Sequence, residues 1–69
     1  MNEVLIQLLS NRVIRLGEHS WQWVEKRPGN PSLKNAVTSQ MFRSDLVEEV
    51  DKEMKLTAVG RLLAERLKK

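Results

Sequence analysis

The sequence predicts a mainly α chain with one small β-hairpin. Three observations point that way. Asn30-Pro31 opens a run with apolar residues at helical spacing, and Thr57 precedes a leucine-rich amphipathic run. Between them, residues 46–50 and 54–57 are two short apolar-bearing segments around the charged turn Asp51-Lys52-Glu53. An all-α helical bundle is the alternative, because the same middle segment also carries helical signals. With 69 residues the chain is expected to form a single domain, 1–69.

The first element opens on Asn2 as N-cap with Glu3 in the first turn, where the helix dipole favours an acid. Val4, Leu5, Leu8 and Leu9 recur at helical spacing, and Val13 and Leu16 continue the stripe. Arg12, Arg15 and Gly17 suit a helix end, so one helix is expected over roughly 2–15. Ile6 and Ile14 fall off the stripe. They face a partner chain, or residues 12–16 form a short strand.

Ser20 is a credible N-cap for a second helical run with Trp21, Trp23 and Val24, ended by Pro28-Gly29. The indoles are expected in the core or at its edge. His19 has no second ligand or carboxylate partner beyond Glu18, and neither a catalytic nor a metal role is expected of it.

Asn30-Pro31 is the strongest local helix start, since Pro at the first helical position lacks only an N–H that would be orphaned anyway. In a helix over 31–42, Leu33, Ala36, Val37 and Met41 trace one buried face. Ser32, Lys34, Asn35, Thr38 and Ser39 lie around the rest, short polar side chains with one base and no acid.

Residues 44–56 are ambiguous. As a helix, Ser44 caps it, Glu48–Lys52 and Asp51–Lys55 are i,i+4 pairs, and local propensity is favourable. As a hairpin, the turn lacks the Asn-Gly or Asp-Gly pair of a tight connection. The last helix is expected over 58–67, with Thr57 as N-cap, Val59, Leu62, Leu63 and Leu67 as the apolar stripe, and Arg66, Lys68 and Lys69 at the C-terminal dipole. Gly60 costs about 1 kcal/mol relative to Ala, so its place there implies close packing against a neighbouring backbone.

Composition narrows the function. There is no cysteine, one histidine, no phosphate-cradling glycine loop and no nucleophile–base spacing, so neither an enzyme nor a cofactor is expected. No apolar run is long enough for a membrane span and no secretory leader is evident, which suggests a cytoplasmic protein. A core of this size supplies only about 3–5 kcal/mol, which makes a homodimer a reasonable expectation. The overall charge is +3, but it is unevenly placed. Residues 26–43 carry Lys26, Arg27, Lys34 and Arg43 with no acid, a net +4, whereas residues 44–56 carry five acids against two lysines, a net −3. The acid-free block is the candidate surface for phosphate.

Leu46-Val47-Glu48 and Leu56-Thr57-x-x-Gly60, with the order helix, helix, polar helix, hairpin, helix, resemble winged helix-turn-helix regulators of the MarR and PadR types. The likeness spans roughly residues 20–67, and on its strength the hairpin is preferred at 44–56. It implies a transcription regulator of double-stranded DNA, often dimeric, whose recognition helix enters the major groove. By position, Ser32, Lys34, Asn35, Thr38 and Ser39 would face the groove, with Lys26, Arg27 and Arg43 nearer phosphates. The chain departs from the pattern in three ways: a long first connection, Ser44-Asp45 where glycine is common, and an acidic wing (Glu48, Glu49, Asp51, Glu53) that phosphate would repel. The rival expectation is a protein–protein interaction module that uses the acidic hairpin and exposed apolar residues, Trp23 among them.

Overall fold

The computed structural model describes residues 2–18 and 20–68. The expectations for His19 and for the charge of Lys69 lie outside the described residues. The elements are α1 Asn2–Gln7, β1 Val13–Arg15, β2 Trp21–Trp23, α2 Asn35–Arg43, β3 Val47–Val50, β4 Glu53–Leu56 and α3 Ala58–Lys68. The strands form one antiparallel sheet in the order β2-β1-β4-β3.

This corrects the expected fold class. The chain is an α+β arrangement of three helices on a four-stranded antiparallel sheet, not mainly α with a lone hairpin, and not a helical bundle. The difference lies in residues 8–34. The helix expected over 2–15 stops at Gln7, and Val13 enters the sheet between Trp23 and Met54. The second expected helix is absent, so no helix-turn-helix precedes α2. Trp21 and Trp23 sit two apart, which places both indoles on one face of a strand, and aromatic side chains suit a pleated surface.

The start of α2 also moves. The Asn30 amide does not cap a helix; its Nδ2 donates to Glu25 O at 2.9 Å. Trp23 Nε1 donates to Pro31 O at 2.8 Å, which holds residues 31–34 outside the helix. Lys34 becomes the N-cap with no side-chain cap bond. The helix ends on a backbone motif: Leu46 N donates to Met41 O at 3.0 Å and Asp45 N to Phe42 O at 3.2 Å, with Asp45 in the left-handed region at φ 59°. Where glycine is usual, an aspartate bears the strain.

Residues 47–56 do form a hairpin, and its turn is tighter than the sequence suggested. Val50 pairs with Glu53, leaving Asp51 (φ 51°) and Lys52 (φ 63°) as a two-residue turn with both residues in the left-handed region. Thr57 caps α3: Gly60 N donates to Thr57 Oγ1 at 3.0 Å, and that hydroxyl donates to Asp45 O at 2.5 Å.

Paired residues of antiparallel strands point the same way. Val13, Trp23, Met54 and Val47 therefore share one face, which Val4 and Leu5 of α1, Met41 of α2 and Ala64 of α3 complete as the core. The opposite face carries Ile14, Gln22, Glu53 and Val50, with Ile14 and Val50 exposed. The buried stripe of α3 also differs from expectation. Gly60 and Ala64 are buried while Val59 and Leu62 are exposed, because small residues let the helix approach the Leu46 backbone.

Candidate nucleic-acid interface

α2 is fixed to the sheet by a stack at its C-terminal half. The Phe42 and Trp21 ring centroids are 5.6 Å apart, and the Arg15 guanidinium lies 4.5 Å over the Trp21 ring. Arg15 in turn donates to Glu49 from Nε at 3.1 Å and from Nη2 at 2.5 Å, and from Nη1 to the carbonyls of Gly17 and Glu18. With Met41 and Thr38 buried beneath it, the helix can present only one face to solvent.

That face divides the sequence-derived set. Asn35, Ser39 and Arg43 recur at a spacing of four along α2 and line a shallow groove with Ala36 and Gln40. Ala36, expected in the core, is exposed. Lys34 stands exposed at the helix N-terminus, and Ser32 and Lys26 are exposed on the preceding loop.

Two members leave the set. Thr38 is buried, and its hydroxyl lies 3.3 Å from Lys34 O and 3.2 Å from Asn35 O, a back-bond within its own helix. Arg27 is consumed internally: it donates to Gln7 Oε1 at 2.9 Å, to Ser10 Oγ and O at 3.0 Å, and to Glu25 Oε2 at 2.6 Å. It anchors the long loop to the end of α1. Gln40 joins the set; its place three residues before Arg43 was a signal the sequence offered.

The hairpin's electrostatics also need revision. Its four acids, Glu48, Glu49, Asp51 and Glu53, are not a bare negative patch. Arg15 holds Glu49, and Arg12 holds Glu53 with Nε at 3.2 Å and Nη2 at 2.8 Å. Hydrogen bonding to these guanidiniums lowers both carboxyls below their ordinary range, against a smaller opposing effect of desolvation. Glu48 stands opposite Lys55 across the strands, and Lys52 follows Asp51 in the turn. Glu49 and Glu53 are thus paired, while Glu48 and Asp51 make no ion pair among the described residues.

Among the described residues no cluster of three or more His, Asp or Glu could hold a metal ion, and no helix is long and apolar enough to cross a membrane. Comparison with protein-family models, curated proteins and solved structures found no match. The functional reading therefore rests on this geometry.

Proposed function

We propose that the chain binds double-stranded DNA through the solvent face of α2, as a small regulator that occludes the site it occupies. The observation that carries this is the acid-free face of Asn35, Ser39, Gln40 and Arg43, with Lys34 exposed at the helix N-terminus and Lys26 exposed on the preceding loop. Amide side chains can bond bidentately to adenine edges, and the bases supply phosphate contacts. The reading is of a cytoplasmic binding protein that performs no reaction.

Fluorescence anisotropy on a labelled mixed-sequence duplex tests it. If Lys26, Lys34 and Arg43 each meet a phosphate, log affinity should fall with log salt at a slope of about −3, and Lys34→Ala or Arg43→Ala should each reduce that slope by about 1. Asn35→Ala and Gln40→Ala should erase base preference and leave the slope unchanged. An absence of binding at low salt, or indifference to all four substitutions, would count against the reading.

A second reading is a protein-docking module that uses the helix-free sheet face, where Ile14, Val24 and Val50 are exposed. Trp23, once the expected contact, is buried and does not serve it. Reversal of Glu48, on the same face as Val50, probes it; Glu49 pairs with Met54 and so points to the other face, where Arg15 holds it.

A further inference from the structure

β2 is an outer strand of the sheet, and its sequence Trp21-Gln22-Trp23 is the same in both directions. Its bonds to β1 alternate along the chain: Leu16 N donates to Ser20 O at 2.9 Å and Val24 N to Arg12 O at 2.8 Å, with Gln22 opposite Ile14 between them. The N–H and C=O groups of Trp21 and Trp23 consequently point away from β1. Among the described residues nothing bonds to them. Trp21, Gln22 and Trp23 border a groove whose other wall is the following loop, Lys26, Asn30, Pro31 and Leu33 among it.

We propose that β2 pairs antiparallel with β2 of a second copy of this chain, about a two-fold axis through Gln22, joining the two four-stranded sheets into one. Trp21 then lies opposite the partner's Trp23 and the two exchange backbone hydrogen bonds; the other tryptophan pair does the same, and Gln22 meets its own copy. Charge selects this direction. Glu18 precedes the strand and Lys26 follows it, both exposed and each beyond a bend, so antiparallel pairing brings the acid of one copy toward the base of the other at both ends. The neighbouring acid Glu25 is paired with Arg27. Parallel pairing would set like beside like. The other outer strand, β3, carries Glu48 and Glu49, charges that guard an edge against self-pairing.

An edge of three residues gives a weak dimer. The two-fold axis runs perpendicular to the sheet, so both copies of α2 stand on the same face. This arrangement would suit a two-fold DNA site, but it does not depend on the DNA reading.

Sedimentation equilibrium of the full chain, from about 10 μM to 1 mM, should show a monomer–dimer equilibrium. Glu18→Lys or Lys26→Glu alone should raise the dissociation constant about threefold or more, and the double swap should restore it. Circular dichroism checks that each variant is folded. Amide exchange at Trp21 and Trp23 should slow as concentration rises. A monomer throughout the range, a dimer indifferent to charge reversal, or fast exchange at both tryptophans in the dimer overturns the proposal.

Discussion

The two hairpins of the sheet are built in opposite ways. β3–β4 is local: a two-residue turn, four paired positions, and a helix cap that follows at once through Thr57. β1–β2 pairs only three positions and depends on groups distant in sequence. Asn11, buried, accepts from Arg12 N at 2.7 Å and Glu25 N at 3.1 Å and donates to Glu25 O at 2.9 Å. Trp23 reaches Pro31, and Arg27 reaches back to Ser10. One hairpin is specified by its own backbone, the other by buried side chains.

The largest expected effect breaks the first. A Cβ added at Gly60 would overlap the Leu46 carbonyl oxygen and lie 2.7 Å from its carbon, where no rotamer change can relieve it. Leu46 O also accepts from Thr57 N at 3.0 Å, so a shift would pull apart the junction between the hairpin and α3. Gly60→Ala should destabilise by about 3 kcal/mol or more, enough to unfold most of a domain this small. Urea titration followed by circular dichroism reads it; a loss under 1 kcal/mol would mean the junction adapts.

Asn11→Ala attacks the other hairpin. It leaves two backbone N–H groups without their acceptor and Glu25 O without one of its donors, at a cost of about 2 kcal/mol. Both tryptophans lie in β2, so their fluorescence reports this hairpin while circular dichroism reports the whole chain. The fluorescence transition should move to lower urea at least as far as the dichroism transition. Movement of the dichroism transition alone would show that Asn11 does not govern β2.

This contrast also explains what the sequence made legible. The end of the chain was readable because its signals are local: Thr57 caps α3, and Gly60 packs on a neighbouring backbone, as its costly position implied. The middle misled because its signals are shared between conformations. Asn30-Pro31 has the chemistry of a helix start, yet Glu25 and Trp23, set by β2, take up those groups first. Trp21 and Val24 read as one helix face, with Trp23 off it, until a second strand lies beside them. For the candidate interface, exposure along α2 followed from polarity at Asn35, Ser39 and Arg43. The loss of Thr38 and Arg27 depended on partners that spacing within one helix cannot reveal.

The smallest expected effect concerns the ties between the hairpins. Arg12 and Arg15, on or beside β1, each hold a carboxylate of the other hairpin, Glu53 and Glu49. Both carboxyls titrate below their free value because the guanidinium hydrogen bonds favour the charged form. Their stabilisation is complete above the unfolded carboxyl value of about 4.3 and fades as pH falls through the lower folded values. The arginines remain charged throughout, so the loss follows the glutamates alone. Both pairs are solvent-accessible, which keeps the effect modest and makes it sensitive to salt. In urea titrations from pH 6 down to about pH 3, Glu49→Gln and Glu53→Gln should each flatten part of the decline. Exposure does not rank the two, since Arg15 is less exposed than Arg12 (26% against 66% of the side chain) but Glu53 is less exposed than Glu49 (18% against 36%). Because the Trp21 ring also holds Arg15, Glu49 should account for more of the decline. An equal or reversed order would mean that the stack over Trp21 adds nothing to the link between the hairpins.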